Sequence, residues 1–192
     1  FVQQHSFATL VSHSDSEPLA SHLPLLLDRA TGAHGALIGH MACANAQWRQ
    51  AEGQNVLAIF HGPHTYISPT WYGAKNAVPT WNYVAVHVYG TFRLETDRSR
   101  LLQMVRKLVS FYESGLPQPW SVDAAEPDFI SDLLNAIVGF EIIIDRIEGK
   151  WKLNQNHDEA RRKRVTQALR GGREGQQQIA ALMLQTLEDS SQ

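Results

Sequence analysis

The sequence predicts an α+β fold, mainly β: a closed or split β-barrel, antiparallel and of Greek-key type, with flanking helices. Three observations carry this. The first half is a series of short apolar runs whose separators, SDSE and RATG, have turn chemistry and are too short for parallel crossovers. Over residues 82–97, Tyr83, Ala85, His87 and Tyr89 alternate with Val84, Val86, Val88 and Gly90, the period of a strand. Residues 97–114 instead put Leu101, Leu102, Val105, Leu108, Val109 and Tyr112 on one face at helical spacing.

In order, strands are expected over 7–13, 19–28 and 35–42, then a short helix over 45–52 with Asn45 as its N-cap, then a nearly all-apolar strand over 55–62. The segment 62–81 holds three prolines and two glycines and cannot form one regular element. After the strand at 82–97 and the helix at 97–114, a second helix is expected over 127–138, with Pro127 near its start. A strand over 139–153 and helices over 158–170 and 176–188, broken at Gly171-Gly172, complete the list. One domain is expected over 1–156, including the inserted helices at 97–138, followed by a C-terminal helical extension over 157–192.

At 43% hydrophobic and 19% charged residues in 192, the chain is neither disordered nor a charged coil, and no apolar run approaches a membrane span. A formal charge of −2 argues against a nucleic-acid footprint over the whole surface. Positive charge gathers late: nine bases and fourteen acids lie within 1–149, eight bases and five acids within 150–192. Cys43 is the only cysteine, so no intrachain disulfide or thiol cluster forms, and a reducing compartment, the cytoplasm, is expected. The chain opens on Phe1 with no signal-peptide pattern, and its natural start is expected upstream.

The signatures GxSxG, GxGxxG, Walker loop, HExxH and CxxC are absent, so the readings that rest on them have no support. Attention falls on polar groups inside apolar runs. His22 and His40 are either core or surface histidines with a satisfied hydrogen bond or neutral groups lining a ligand groove. Asn45 either only caps its helix or marks amides that receive a phosphate. Ser68, Thr70, Trp71, Tyr72, Lys75, Thr80, Trp81, Asn82 and Tyr83 supply hydroxyls, an ammonium, an amide and flat rings in a loop stiffened by prolines. That set suits a planar heterocycle carrying a phosphate, or an aromatic plug or dimer contact.

In EGKWKLNQN, Lys150 and Lys152 share one side of a strand, and Gln155 and Asn156 follow as free polar ends. They suit phosphate or ribityl recognition, or simply an exposed edge strand. Arg161, Arg162, Lys163 and Arg164 read as a solvated helix face. His61, His64 and His87 become neighbours if their strands pair, with no carboxylate cluster beside them to suggest a metal.

The runs GHMACANAQW, IFHGPHTYISPTWY, VPTWNYVAVHVYG, VGFEI and EGKWKLNQN, in this order, resemble the PaiB-like family of FMN-binding negative transcriptional regulators, from about His5 to Asn156. The resemblance implies an FMN-binding split β-barrel, related to the pyridoxamine-phosphate oxidase and flavin-reductase barrels, that dimerises and holds flavin near the subunit interface. It implies that the strands containing His22, Pro24, Leu25 and His40 flank the flavin and that the segment with Asn45 receives its phosphate. Trp71, Tyr72, Trp81 and Asn82 are expected to close the groove. One departure bears on the phosphate: Ala44, Asn45, Ala46 and Gln47 bring no cation where the oxidases bring arginine and lysine. Helix-terminus amides, Lys75, Lys152 or a partner subunit must then meet its charge. The resemblance implies a repressor, with a flavin-dependent oxidoreductase or a haem-binding barrel as alternatives. Direct DNA contact through 158–173 lacks a reading head, so an indirect route is expected.

Overall fold

The computed structural model describes residues 1–14 and 16–189. Alternating burial builds the first strand: in β1 (Phe7–His13), Ala8, Leu10 and Ser12 are buried while Phe7 and His13 are exposed. β1 pairs antiparallel with β2 (Pro18–Pro24), Phe7 standing opposite Pro24. The expected strand over 19–28 is broken in two. Pro24 has no N–H for a ladder, and the Leu25 N–H turns aside to the Ser6 carbonyl at 2.8 Å, so β3 (Leu26–Asp28) begins afresh. β3 pairs antiparallel with β4 (Ala36–Ala42). Here Gly39 lets the corner lie close: a Cβ there would stand 2.6 Å from Leu25 Cδ2 and 3.2 Å from the Pro24 carbonyl oxygen.

Helix α1 (Gln47–Ala51) leads into β5 (Asn55–Ile67). β5 outruns the expected strand by five residues because its alternation persists, with Thr65 and Ile67 buried and Tyr66 exposed. A 3₁₀ turn, Pro69–Tyr72, and a loop occupy the rest of the irregular segment before β6 (Thr80–Glu95). Helices α2 (Arg98–Glu113) and α3 (Pro127–Asn135) precede β7 (Ile137–Lys152), and α4 (Glu159–Arg170) and α5 (Glu174–Asp189) follow. The strand order is β2-β1-β5-β6-β7-β4-β3. β5, β6 and β7 are sequential neighbours and β4 lies beside β7, which is Greek-key connectivity, and β4 and β7 pair antiparallel from Ala36 opposite Ile143 to Ala42 opposite Ile137.

Residues 1–60 with 87–148 form one compact unit, and residues 61–86 with 149–192 a second. In unit one, Leu10, Phe60, Phe92, Phe140 and Ile142 are fully buried, and the Phe92 and Phe140 rings stack at 4.6 Å. α2, capped by Asp97 on the N–H groups of Ser99 and Arg100, lays Met104 and Leu108 against Leu26 and Ile38. In unit two, α4 and α5 bury Val165, Leu169, Ile179, Ala180 and Met183. Among the described residues no helix is long and apolar enough to cross a membrane.

Candidate functional site

Five of the predicted residues lie in unit one. His22 is exposed on β2 opposite Thr9, its ring stacked with Phe7 at 6.3 Å. Pro24 and Leu25 form the corner over Gly39. His40 stands on β4 opposite Gly139, and its Nδ1 is buried without a hydrogen-bond partner. Burial pushes its pKa below the ordinary 6.5 and keeps the ring neutral. Asn45 is not the expected N-cap. That position belongs to Ala46, and α1 has only five residues. Both ends of the Asn45 amide are engaged: Oδ1 accepts from the Gln47 N–H at 2.9 Å and Nδ2 donates to Ser21 Oγ at 2.8 Å. Its role is to tie the loop to β2. The neighbouring Gln47, which sequence reasoning passed over, is buried and donates from Nε2 to the Leu10 carbonyl and to Ser12 Oγ.

The other predicted residues lie in unit two, where several converge on one cavity of about 720 Å³. That is within the range of small-molecule sites. Tyr72, Lys75, Thr80, Lys152 and Gln155 line it, together with Asn154, Asn156, His157 and Arg161. The 3₁₀ turn places Tyr72: Ser68 caps it by accepting from the Thr70 N–H, and the Tyr72 carbonyl accepts from Arg164 Nε at 3.0 Å and Nη2 at 2.8 Å. Tyr72 is 2% exposed, with the Asn154 amide nitrogen 3.5 Å from its hydroxyl. Trp71 in the same turn is half-buried and does not line the cavity.

Asn154, Gln155 and Asn156 of the LNQN turn line the cavity. Leu153 is fully buried, and Asn154 adopts a left-handed backbone conformation, φ 61°. Gln155 is not a free polar end, as the sequence suggested. Its Oε1 accepts from the Leu153 N–H at 2.7 Å and its Nε2 donates to the Trp151 carbonyl at 2.6 Å, so the side chain is spent on closing the turn. Lys152 Nζ donates to Thr80 Oγ1 at 2.7 Å. Arg161 lies over the Tyr72 ring at 5.3 Å and donates from Nη1 to His157 Nδ1 at 3.2 Å. His157 must be unprotonated at that nitrogen, and desolvation, then the Arg161 charge, hold its pKa below 6.5.

Trp81 and Asn82 do not act together as a groove rim. Successive strand residues face opposite sides, so Trp81 is 53% exposed while Asn82 is fully buried. Asn82 Nδ2 meets Met183 Sδ at 3.4 Å, and its Oδ1 has no partner. Trp81 instead joins His64 and Tyr66 in an exposed aromatic strip, with ring centroids 6.3 and 6.1 Å away, beside a groove of about 420 Å³. The run 161–164 is a solvated face only in part, Lys163 and Arg164 being exposed. Arg162 is 6% exposed and donates to Thr186 Oγ1, Lys163 pairs with Glu159, and Arg164 holds the Tyr72 carbonyl. Arg161, the member that reaches the cavity, was missed. The signal for it was Asp158, whose side chain caps α4 on the Arg161 N–H and sets that arginine in the first turn, beside the LNQN loop. Chemically, the cavity presents three cations and no carboxylate, a donor set for a dianion.

Residues 1–146 match the family described as "Putative FMN-binding domain". The chain is 39% identical over 160 residues to the "Protease synthase and sporulation protein PAI 2" of Bacillus subtilis (strain 168), covering 83% of this chain and 76% of that one. It is 31% identical over 172 residues to the "Uncharacterized protein AN0679" of Emericella nidulans, covering 71% and 68%. Among solved structures it is similar to the flavocytochrome Anf3 from Azotobacter vinelandii, with a TM-score of 0.62 at 14% identity, over 81% of this chain and 66% of that one. It is also similar to an FAD and haem binding protein from Mycobacterium smegmatis, with a TM-score of 0.57 at 13% identity, over 90% and 75%. The structural likeness is one of fold alone.

Proposed function

The chain belongs to this FMN-binding domain family and has the α+β, mainly β, split-barrel fold, and from that premise we propose that it is a cytoplasmic homodimer that holds FMN non-covalently and acts as a negative transcriptional regulator through the bound flavin. The observation that carries the proposal is the acid-free cavity of unit two, whose lysines and arginine suit a phosphorylated ligand. FMN, when bound, supplies a redox-active ring system. The chain's own residues bind and orient it: Lys152 is positioned by Thr80, and Arg161 by Tyr72 and His157.

Kinship with the sporulation protein supports the regulatory part. The commitments of Arg162, Lys163 and Arg164 within unit two favour an indirect route over direct DNA contact. The exposed strip of His64, Tyr66 and Trp81 supports a dimer, because aromatic surface of this kind is suited to burial by a second copy. As part of the same reading, residues 1–156 are the barrel domain and 157–192 its helical extension. Size-exclusion chromatography of the purified chain mixed with FMN, followed by absorbance, tests it. Flavin co-eluting at the mass of two chains is the expected result, and a flavin-free peak at the mass of one chain contradicts it.

A further inference from the structure

The cavity of unit two contains more charge than its own contacts use. Lys75 forms no ion pair among the described residues. Lys152 is bonded to a neutral hydroxyl, and Arg161 to a neutral imidazole and a ring face. The Arg161 Nε is buried with no hydrogen-bond partner, a donor that costs free energy as it stands. No carboxylate is among the residues that line the cavity, although Asp158 at the start of α4 interacts with the Arg161 charge, so compensation of the three cations is partial. Of the neighbouring cations on α4, Lys163 pairs with Glu159, Arg162 donates to Thr186 and Arg164 to Tyr72.

The LNQN turn is fixed in advance. Leu153 anchors it, Asn154 turns it through the left-handed region, and both ends of the Gln155 amide lock it. An anion entering here meets donors already held in place, which limits the ordering cost of binding.

We infer that Lys75, Lys152 and Arg161 form the subsite for the phosphomonoester of the flavin, so that this chain selects FMN over riboflavin at that wall. The inference rests on the flavin reading above and names the part of the ligand that unit two holds. It also supplies cations that Ala44–Gln47 lack. The Arg161 guanidinium has donors beyond the one given to His157, and the two ammonium groups add point charges.

The test is equilibrium titration of FMN and of riboflavin into the full chain, read by flavin fluorescence, with K152Q, R161Q and K163Q alongside the parent. The parent is expected to bind FMN at least about tenfold more tightly than riboflavin. K152Q and R161Q are each expected to lose about tenfold for FMN while riboflavin affinity stays unchanged. K163Q, whose lysine pairs with Glu159 away from the cavity, keeps the parent's preference. AMP, with the same phosphomonoester on another ring, is expected not to displace FMN, and displacement as effective as FMN's own would make the site a general phosphate pocket and overturn the assignment. Equal affinity for the two flavins in the parent, or a preference unchanged in both cavity variants, overturns it while leaving flavin binding intact. Binding of neither flavin overturns the assignment and the flavin reading together. A circular dichroism melt of each variant separates lost recognition from lost folding.

Discussion

Three imidazoles have pKa values lowered first of all by desolvation, and this has a measurable consequence. His40 loses hydration on β4, His157 is desolvated and faces the Arg161 charge, and His5 is desolvated. Each has a pKa below 6.5 in the folded chain, so between that lowered value and 6.5 the unfolded chain binds more protons than the folded one. Their stabilising contribution is complete above 6.5 and falls as pH drops toward the folded values. Asp28, Asp158 and Glu159 are also shifted down, but they titrate below the carboxylate reference of 3.8 to 4.5, outside this window. The melting temperature is expected to fall as pH is lowered from about 7.5 to about 5.5, with H157N reducing the slope. A flat or rising melting temperature over that range contradicts the assignment. Residue types at this scale were legible in the sequence and their commitments were not. Lys75, Lys152 and Thr80 stood out by type and spacing, whereas the spending of Gln155 on its own turn and of Asn45 on Ser21 depends on backbone geometry that a sequence pattern does not express.

At the scale of elements, alternation and helical spacing located most of the strands and helices to within a few residues. The misses have local causes. Pro24 and the turned-aside Leu25 N–H split a strand that is apolar throughout, and β5 continues past Gly62 because Thr65 and Ile67 keep its inward face buried. One glycine is decisive for how two strands meet. A Cβ on Gly90 would collide with the Ile143 carbonyl oxygen and crowd Ile142 Cγ2 at 2.9 Å, both backbone and side chain of β7. Strand backbone cannot yield there without losing ladder bonds. G90A is therefore expected to cost about 2 kcal/mol or more in urea unfolding, with reduced midpoint. An unchanged midpoint would show that β6 and β7 do not approach as closely as described.

For the whole molecule, the net charge of −2 conceals a segregation that the sequence already displayed, with bases in excess after residue 149. The fold turns part of that excess into structure, through Arg162, Lys163 and Arg164, and sets Lys152 and Arg161 at one cavity in unit two. This division separates a cofactor site from a nucleic-acid surface: a phosphate pocket concentrates a few cations in a concavity, whereas a DNA face spreads many along a convex or grooved exterior. As the seat of the flavin phosphate, a pocket of this kind requires that the chain bind FMN reversibly. Isothermal titration of the purified chain with FMN tests it most directly. A saturable heat with about one flavin per chain and micromolar or tighter affinity is the expected result. No heat, and no change in the flavin absorption bands, with FMN raised to about 1 mM would contradict it.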